Sequence, residues 1–278
     1  MFRARDFEFP LGKRTYIMGI LNYTPDSFSD GGLYNTPQKA LEHALLMQEQ
    51  GADIIDFGAN STRPGAVILT AEEEKERIAP VLETLCRSLG VAVSADTFYP
   101  LCAKAALEAG VSVINDVSGV FNPEIASLCK EYGAAYAVMH NPCGSAQTAE
   151  YPNGVVNSVR QFFLDSLTLA AQSGLDKSHI CLDMGIGFGK KYEDNIELLR
   201  EMQWLKFKGV ALLAAGSRKR FIGTASGEEN SAERDWGTVA AHTAAIAGGA
   251  DIIRVHNVYA AVQSARVADA IYRGKTNG

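Results

Sequence analysis

The sequence predicts an α/β fold, a single (β/α)8 TIM barrel in which eight parallel strands are surrounded by helices. The first observation is a series of short apolar runs, bounded by turn residues, that recurs along the whole chain. Their nearly continuous apolarity is typical of strands buried on both faces of a parallel sheet. The predicted strands are Tyr16–Leu21, Asp53–Phe57, Val91–Ala95, Val111–Asn115, Ala134–Met139, His179–Leu182, Val210–Ala214 and Asp251–Val255.

Helical patterns between these runs are the second observation. Apolar residues follow a helical stripe over 78–89, and Thr70 and Glu73 ahead of it have the spacing of a capping box. The pair Thr36-Pro37 predicts another helix start, because proline favours the first helical position. Left-handed helix ends are predicted shortly before the next strand at Gly51, Gly90, Gly110, Gly133, Gly174, Gly209 and Gly249.

A repeated unit is the third observation. The letters G-A-D-I-I recur at 51–55 and 249–253, as expected if one βα unit is used many times. Such units with right-handed crossovers close into a barrel, and a doubly wound open sheet is the alternative. No linker-like stretch divides the chain, so we predict one domain over 1–278. Residues 1–12 are predicted to form a short N-terminal extension across the barrel bottom.

Composition narrows the classes of function. The 278 residues are 47% hydrophobic and 21% charged, with a formal net charge of −6, which favours a large core and argues against a nucleic-acid partner. No signal-peptide pattern is visible, and no apolar run approaches the roughly 20 residues that span a bilayer. We therefore expect a soluble, cytoplasmic protein. Reduced packing residues are expected at Cys86, Cys102, Cys129, Cys143 and Cys181.

The strongest local signal is the stretch 180–190, I-C-L-D-M-G-I-G-F-G-K, where an apolar run stops at Asp183 and then turns glycine-rich. A carboxylate at the mouth of a buried strand lies where parallel α/β proteins place their chemistry. The glycine spacing fits neither a dinucleotide fingerprint nor a Walker loop, since Lys190 stands where a third glycine would be. Taken alone, Asp183 is more often a helix cap than a catalytic group.

Polar residues at the carboxyl end of every predicted strand favour a functional site, because these ends meet at one face of a barrel. An anion such as a diphosphate is predicted to bind where Arg254 and His256, which share a strand face, approach Asn22 and Arg63. A planar heterocycle rich in N–H groups would suit a second set, which consists of Asp96, Asn115, Asp183 and Lys219.

Two further groups of residues are interpreted from their surroundings. Phe28 and Phe188 lie in polar or glycine-rich loops at the predicted mouth, where an aromatic ring is better explained by stacking on a flat substrate than by core packing. The acidic run at 72–76 is predicted to be a solvated first helical turn, favoured by the helix dipole. Its acids are Glu72, Glu73, Glu74 and Glu76.

Six motifs together resemble the dihydropteroate synthase family, in the family's order and over nearly the whole chain. They are M-G-I-L-N-Y-T-P-D-S-F-S-D-G-G (Met18–Gly32), S-T-R-P-G (Ser61–Gly65), I-N-D-V-S-G (Ile114–Gly119), G-I-G-F-G-K (Gly185–Lys190), S-R-K-R-F (Ser217–Phe221) and R-V-H (Arg254–His256). The resemblance implies a (β/α)8 fold, usually a homodimer. It also implies an enzyme of folate biosynthesis that joins 6-hydroxymethyl-7,8-dihydropterin diphosphate to para-aminobenzoate and releases diphosphate. Asn60, Met184 and Asn257 depart from the family's usual Glu, Pro and Asp.

Residue roles are implied by the same resemblance at the matching positions. The implied pterin-binding residues are Asp96, Asn115, Met139, Asp183 and Lys219. The implied diphosphate-binding residues are Asn22, Thr62, Arg63, Arg254 and His256. The implied para-aminobenzoate site consists of Phe28, Pro64 and Phe188. Mg²⁺ is the implied cofactor, with Asn22 as its ligand. The implied reaction is dissociative, in that diphosphate leaves before the arylamine attacks. The implied catalytic residues are Asp96, Asp183, Lys219 and Arg254.

Two alternatives stay open from the sequence. A methyl-transfer domain that binds methyltetrahydrofolate would keep the pterin carboxylates, but it has no reason to keep S-x-K and R-x-H for a diphosphate. A divergent paralogue could bind pterin without turning it over, and the sequence does not separate that protein from an active enzyme.

Overall fold

Eight parallel strands form a closed barrel in the computed structural model, which describes residues 1–23, 36–60, 69–143 and 147–274. The strands of these residues are β1 (Phe2–Ala4), β2 (Phe7–Phe9), β3 (Tyr16–Asn22), β4 (Ile54–Gly58), β5 (Ala92–Asp96), β6 (Val113–Asp116), β7 (Ala135–Met139), β8 (Ile180–Asp183), β9 (Ala211–Ala214) and β10 (Ile252–Val255). The ring is closed by β10, which pairs in parallel with both β9 and β3. This closure confirms the predicted barrel and excludes the open sheet.

Helices connect successive barrel strands. Those of the described residues are α1 (Pro37–Glu49), α2 (Ala71–Ser88), α3 (Pro100–Glu108), α4 (Pro123–Tyr132), α5 (Val155–Gln172), α6 (Tyr192–Arg200), α7 (Arg220–Ser226), α8 (Asp235–Ala247) and α9 (Val258–Tyr272). Both predicted helix starts are confirmed: Thr36 caps α1 with Pro37 in its first turn, and Thr70 and Glu73 form a capping box on α2. Within the described ranges, no helix has the length and apolarity needed to cross a membrane.

Glycines end most of these helices as predicted. Positive φ angles of 64° to 107° occur at Gly51, Gly110, Gly133, Gly174, Gly209 and Gly249. The prediction for Gly90 is wrong, because α2 is followed by Leu89 in an extended conformation and needs no left-handed residue. The N–H of Gly90 instead donates to Gln48 Oε1 at 2.7 Å.

The N-terminal extension plugs the bottom of the barrel, as predicted. Strands β1 and β2 form an antiparallel hairpin, and its residues Phe2 and Phe9 are buried against the barrel interior. The ring of Phe9 meets that of Tyr16 edge to face, with 4.9 Å between the ring centroids. Aromatic burial of this kind contributes several kcal/mol per ring, so the hairpin closes the barrel with apolar surface.

The burial of Glu74, on helix α2 outside the barrel, corrects one prediction. Glu74 is not part of a solvated turn but is fully buried. It lies four residues before Ile78 and therefore falls on the apolar stripe of α2 that faces the barrel. Asn60 Nδ2 donates to its carboxylate, and burial raises the pKa of Glu74 against the opposing effect of its hydrogen bonds.

The expectation of unpaired thiols is confirmed, since all five cysteines are free.

Candidate active site

A buried carboxylate that the sequence analysis missed, Asp56, lies inside the barrel near its carboxyl end. It is fully buried on β4. Its Oδ2 accepts hydrogen bonds from Arg254 Nε at 2.6 Å and from Asn115 Nδ2 at 3.1 Å, and its Oδ1 accepts one from Ser94 Oγ at 2.5 Å. The signal that could have found it is an acid inside an apolar strand, because acids are rarely buried without partners.

The guanidinium of Arg254 bridges two carboxylates from neighbouring strands. It pairs with Asp56 through Nε and with Asp96 through Nη2 at 3.0 Å. Arg254 belongs to the predicted anion site and Asp96 to the predicted heterocycle site. The two predicted sets are therefore in direct contact, because the arginine side chain reaches from β10 to β4 and β5.

Asn115 presents an unpaired acceptor in this cluster. Its Nδ2 is committed to Asp56, whereas its Oδ1 is buried and has no hydrogen-bond partner in the part of the chain that the structure describes. Leaving a buried polar atom unpaired costs about 1–3 kcal/mol. The Oδ1 atom therefore favours a bound ligand that donates an N–H or O–H group.

The pKa of Asp96 is raised above its ordinary value. Burial raises the pKa of Asp96 to about 7, while Arg254 opposes the rise and the neighbouring charge of Asp56 adds to it. Near neutral pH this carboxyl is close to losing its proton. Positive charge that develops on a ligand would favour the ionised form, since an opposite charge nearby stabilises a carboxylate.

A second group of charged side chains lies at the barrel mouth, where β8 and β9 end. Asp183 ends β8, and its Oδ1 accepts a hydrogen bond from Gly185 N at 2.8 Å. Lys219 follows β9, where its Nζ donates to Ile186 O and lies 4.4 Å from the ring centroid of Phe188. The cation thereby lies over the face of the aromatic ring, an attractive arrangement.

Asp183 and Lys219 stabilise each other's charges. Burial raises the pKa of Asp183, and Lys219 lowers it in part. Burial lowers the pKa of Lys219 to about 8, and Asp183 opposes that change. Such mutually perturbed groups are typical of functional sites. Met139 at the end of β7 is buried beside Asp183, its register partner on β8.

His256 lies next to the S-R-K segment instead of next to the cluster around Asp56. Ser217 Oγ is 2.9 Å from His256 Nδ1 and accepts a hydrogen bond from the His256 backbone N–H at 3.2 Å. The guanidinium of Arg218 points away and pairs with both carboxylate oxygens of Asp235. The segments that follow β9 and β10 are thereby joined at the mouth, with Lys219 after β9 and Arg254 on the adjacent strand β10.

Comparison with known proteins decides the family. A family model for pterin binding enzymes matches residues 18–256. The dihydropteroate synthase of Synechocystis sp. is 45% identical over 269 residues, which cover 95% of this chain and 93% of that protein. The chain belongs to the dihydropteroate synthase family of pterin-binding enzymes.

Solved structures of this family share the whole fold. A Xanthomonas albilineans dihydropteroate synthase with 4-aminobenzoic acid is 40% identical, with a TM-score of 0.86 and 94% of each chain covered. A structure of the Xanthomonas albilineans enzyme in complex with 7,8-dihydropteroate is 37% identical, with a TM-score of 0.85, and covers 97% of this chain and 98% of that one.

Two departures from the family pattern are matched to nearby acids. Asn257 caps α9 by accepting from Ala260 N at 3.0 Å, and its Nδ2 donates to Asp235 at 2.9 Å. Asn60 donates to buried Glu74, while its Oδ1 accepts from the backbone N–H of residue 69 at 2.9 Å. A carboxylate in either place would face another carboxylate, so the amide is the better partner in this chain.

The predicted Mg²⁺ site rests on a single described residue, Asn22, which is partly buried at the end of β3. Among the residues that the structure describes, no group of three or more His, Cys, Asp or Glu could hold a metal ion. One amide oxygen suits Mg²⁺ when the substrate supplies further oxygens, because Mg²⁺ keeps several waters and binds with substrate phosphates. The residue present therefore fits an ion that arrives with a diphosphate.

Four residues of the predicted site lie outside the described residues. Phe28 and Pro64 stay predicted to bind the aromatic amine. Thr62 and Arg63 stay predicted to bind the diphosphate.

Proposed function

We propose that this protein condenses 6-hydroxymethyl-7,8-dihydropterin diphosphate with para-aminobenzoate to give 7,8-dihydropteroate and diphosphate. The observation that carries the proposal is the convergence on one barrel mouth of the Arg254 cluster and the second group formed by Asp183 and Lys219. Relatives whose structures contain 4-aminobenzoic acid and 7,8-dihydropteroate support the same substrates.

The pterin ring would bind among hydrogen-bond acceptors. The buried Oδ1 of Asn115 and the carboxylate of Asp183 accept, and a pterin carries several N–H donors along its edges. Asp56 accepts from the Asn115 Nδ2 group and thereby fixes the amide with its Oδ1 atom free to accept, so the acceptor pattern is set before the ligand arrives. Met139 would lie against the ring.

The first chemical step would break the bond between the pterin methylene carbon and the diphosphate oxygen, with the electron pair leaving on oxygen. Arg254, His256 and Asn22, with Thr62 and Arg63, would bind the leaving diphosphate, and Mg²⁺ when bound would supply further neutralisation of its charge. Asp96, partly screened by Arg254, would stabilise the positive charge that develops on the pterin methylene.

The second step would form the new carbon–nitrogen bond. Para-aminobenzoate would pack against the Phe188 ring, one face of which is covered by the Lys219 ammonium, with Phe28 and Pro64 completing its site. Its amine nitrogen attacks the methylene carbon and then releases one proton to solvent. No nucleophilic side chain is required, since the attacking group belongs to the substrate.

A homodimer in the cytoplasm is part of the proposal. The resemblance to the family supports the dimer, and the five free cysteines suit a reducing compartment. Light scattering of the purified protein tests the dimer, for which a mass near twice 29.9 kDa is expected. A mass near that of one chain would contradict it.

A coupled assay that follows diphosphate release, with both substrates and Mg²⁺, tests the function. We expect turnover that requires para-aminobenzoate and stops when Mg²⁺ is chelated. Binding of both substrates without turnover would favour the inactive paralogue. Binding of methyltetrahydrofolate in place of the pterin diphosphate would favour a methyl-transfer domain, and either result would overturn the proposal.

A further inference from the structure

A buried lysine in the glycine-rich segment after β8 has no role in the reaction described above. Lys190 is only 7% exposed, and its ammonium group contacts backbone carbonyls of the turn that precedes it. Burial lowers the pKa of Lys190 to about 7, although Asp183 opposes the change, so keeping this cation inside is unfavourable without hydrogen-bond partners.

The ammonium group of Lys190 has four acceptors around it. Nζ lies 2.9 Å from Gly185 O and 2.9 Å from Phe188 O, which are the two ends of the turn. It also lies 3.2 Å from the carbonyl oxygen and 3.0 Å from the ring Nδ1 of His140, directly after β7. An ammonium carries three hydrogens, so its donors are shared between the two turn carbonyls and His140, and they join the turn to the end of β7.

His140 is suited to accept from Lys190. Burial, together with the neighbouring charge of Lys190, lowers the pKa of His140 to about 3, so the imidazole is neutral at physiological pH. Its backbone N–H donates to Asp183 O at 2.9 Å. The histidine therefore connects the Lys190 ammonium to the strand end that carries Asp183.

The glycines of the segment leave room for this arrangement. Gly185 has a φ of 65°, and a Cβ atom there would stand 2.0 Å from His140 O. Gly187 has a φ of 81°, and a Cβ atom there would stand 2.8 Å from Lys219 Cδ. The positive φ would strain a larger residue at either position, and at Gly185 its Cβ atom would also clash with backbone. The glycine pattern that fits no nucleotide motif instead builds a turn around a lysine.

Two lysines contact the same turn through different groups. Lys190 binds the backbone oxygen of Phe188, whereas Lys219 lies over the Phe188 ring and donates to Ile186 O. We propose that Lys190 is a positioning residue that fixes the Phe188 turn in the shape that binds the aromatic amine. This inference rests on the proposed function, which assigns para-aminobenzoate to Phe188.

Steady-state kinetics of Lys190→Met test the proposal. We expect the KM for para-aminobenzoate to rise by about tenfold or more, while the KM for the pterin diphosphate changes by less than about threefold. The matched control is Lys191→Met, since Lys191 is the exposed neighbour that pairs with Glu150, and both KM values should be unchanged. Equal rises in both KM values for Lys190→Met would contradict a specific role on the amine side.

Chemical rescue separates hydrogen-bond donation from charge. In Lys190→Ala, propylammonium added to the buffer fits the vacated space and supplies N–H donors, so the KM for para-aminobenzoate should fall towards that of the unaltered protein. Tetramethylammonium carries the same charge without an N–H donor and should not rescue. Equal rescue by both ions, or by neither, would overturn the role of the donors.

Amide hydrogen exchange supplies a measurement that does not depend on turnover. In Lys190→Met, exchange over 184–190 should accelerate by about tenfold or more, while exchange over 54–58 stays unchanged. Unchanged exchange over 184–190, or acceleration throughout the barrel, would contradict the proposal. If the unaltered protein fails to join the two substrates, the proposed function fails, and the exchange result alone decides the role of Lys190 in the turn.

Discussion

The two ends of the barrel interior differ in chemistry although the same strands line both. At the amino-terminal end, buried Phe2 and Phe9 of the hairpin pack on inward-facing apolar residues such as Met18 and Ile54. At the carboxyl end, the inward-facing residues include Asp56 and Arg254. The first end gains stability by burying apolar surface, whereas the second buries charges that are costly without partners.

The change from apolar to polar takes place within single strands, at a spacing of two residues. Alternate residues of a strand face the same side, so Ile54 and Asp56 on β4 both point inward, as do Ile252 and Arg254 on β10. Strand β8 repeats the pattern, with Cys181 in the apolar cluster and Asp183 at the mouth. The comparison shows that stability and recognition are divided between successive layers of one barrel.

Removal of Arg254 should have the largest effect at the polar end. Arg254→Ala leaves Asp56 and Asp96 without their shared cation, and breaking a buried ion pair costs about 3–5 kcal/mol. We expect the free energy of unfolding in urea to fall by that amount and turnover to be lost. The control is Arg266→Ala, an exposed residue of α9, which should change neither. Stability equal to that of the unaltered protein would show that Arg254 does not hold the cluster together.

Removal of an aromatic ring from the hairpin should lower stability at the apolar end without changing substrate binding. Phe9→Ala should lower the free energy of unfolding by about 3 kcal/mol. This value is at the low end for a buried phenylalanine, because the hairpin can shift to fill part of the cavity. The KM values should stay unchanged in the folded variant. Glu8→Ala is the control, since Glu8 is exposed and pairs with Arg3. A large change in KM for Phe9→Ala would show that the two ends are coupled.

The pH dependence of stability should reveal the raised pKa of the partly buried Asp96 carboxyl. Its folded pKa of about 7 lies above the ordinary value of 3.8, so it favours folding in acid and loses that contribution as pH rises through 7. Asp96→Asn removes this dependence. Relative to the unaltered protein, the variant should gain about 1–3 kcal/mol between pH 5 and pH 8.

Unfolding curves of ligand-free protein at the two pH values measure that gain. Asp165→Asn, an exposed residue of α5, should show no such gain and serves as the control. A difference between Asp96→Asn and the unaltered protein that is the same at pH 5 and pH 8 would contradict the raised pKa.

The smallest effect is expected outside the barrel interior, at the start of α2. Thr70→Ala removes the hydroxyl that accepts from Glu73 N at 3.3 Å and should lower the free energy of unfolding by about 1 kcal/mol, without a change in substrate affinity. Thr84→Ala within the same helix is the control, because its hydroxyl only returns to Pro80 O. Equal losses from both variants would show that the cap contributes nothing specific.

Much of the fold could be predicted because the barrel strands are buried on both faces. Continuous apolarity located each strand to within one or two residues, for instance Val111–Asn115 predicted against Val113–Asp116 observed. The two predicted helix starts, at Thr36 and Thr70, were equally visible, since capping depends on local sequence. Burial of Glu74 was not, because its charge suggested solvent and only its position four residues before Ile78 placed it on the packed stripe.

The site was predicted less completely than the fold. Residues at strand ends, such as Asp183 and Lys219, stand out because an apolar run stops there. Asp56 does not, since it lies within a run and was counted as part of a strand. The pairing of Arg254 with both Asp56 and Asp96 depends on side-chain reach across a closed barrel, which no local pattern records.

Recognition of the pterin by the polar layer is tested most directly by Asp183→Asn. The change replaces an acceptor-only carboxylate by an amide of the same shape at a fully buried strand end. Calorimetric titration with the pterin diphosphate should show affinity weakened by about tenfold or more, with a thermal midpoint close to that of the unaltered protein. Equal affinity in the two proteins would contradict the assignment of the barrel mouth to the pterin.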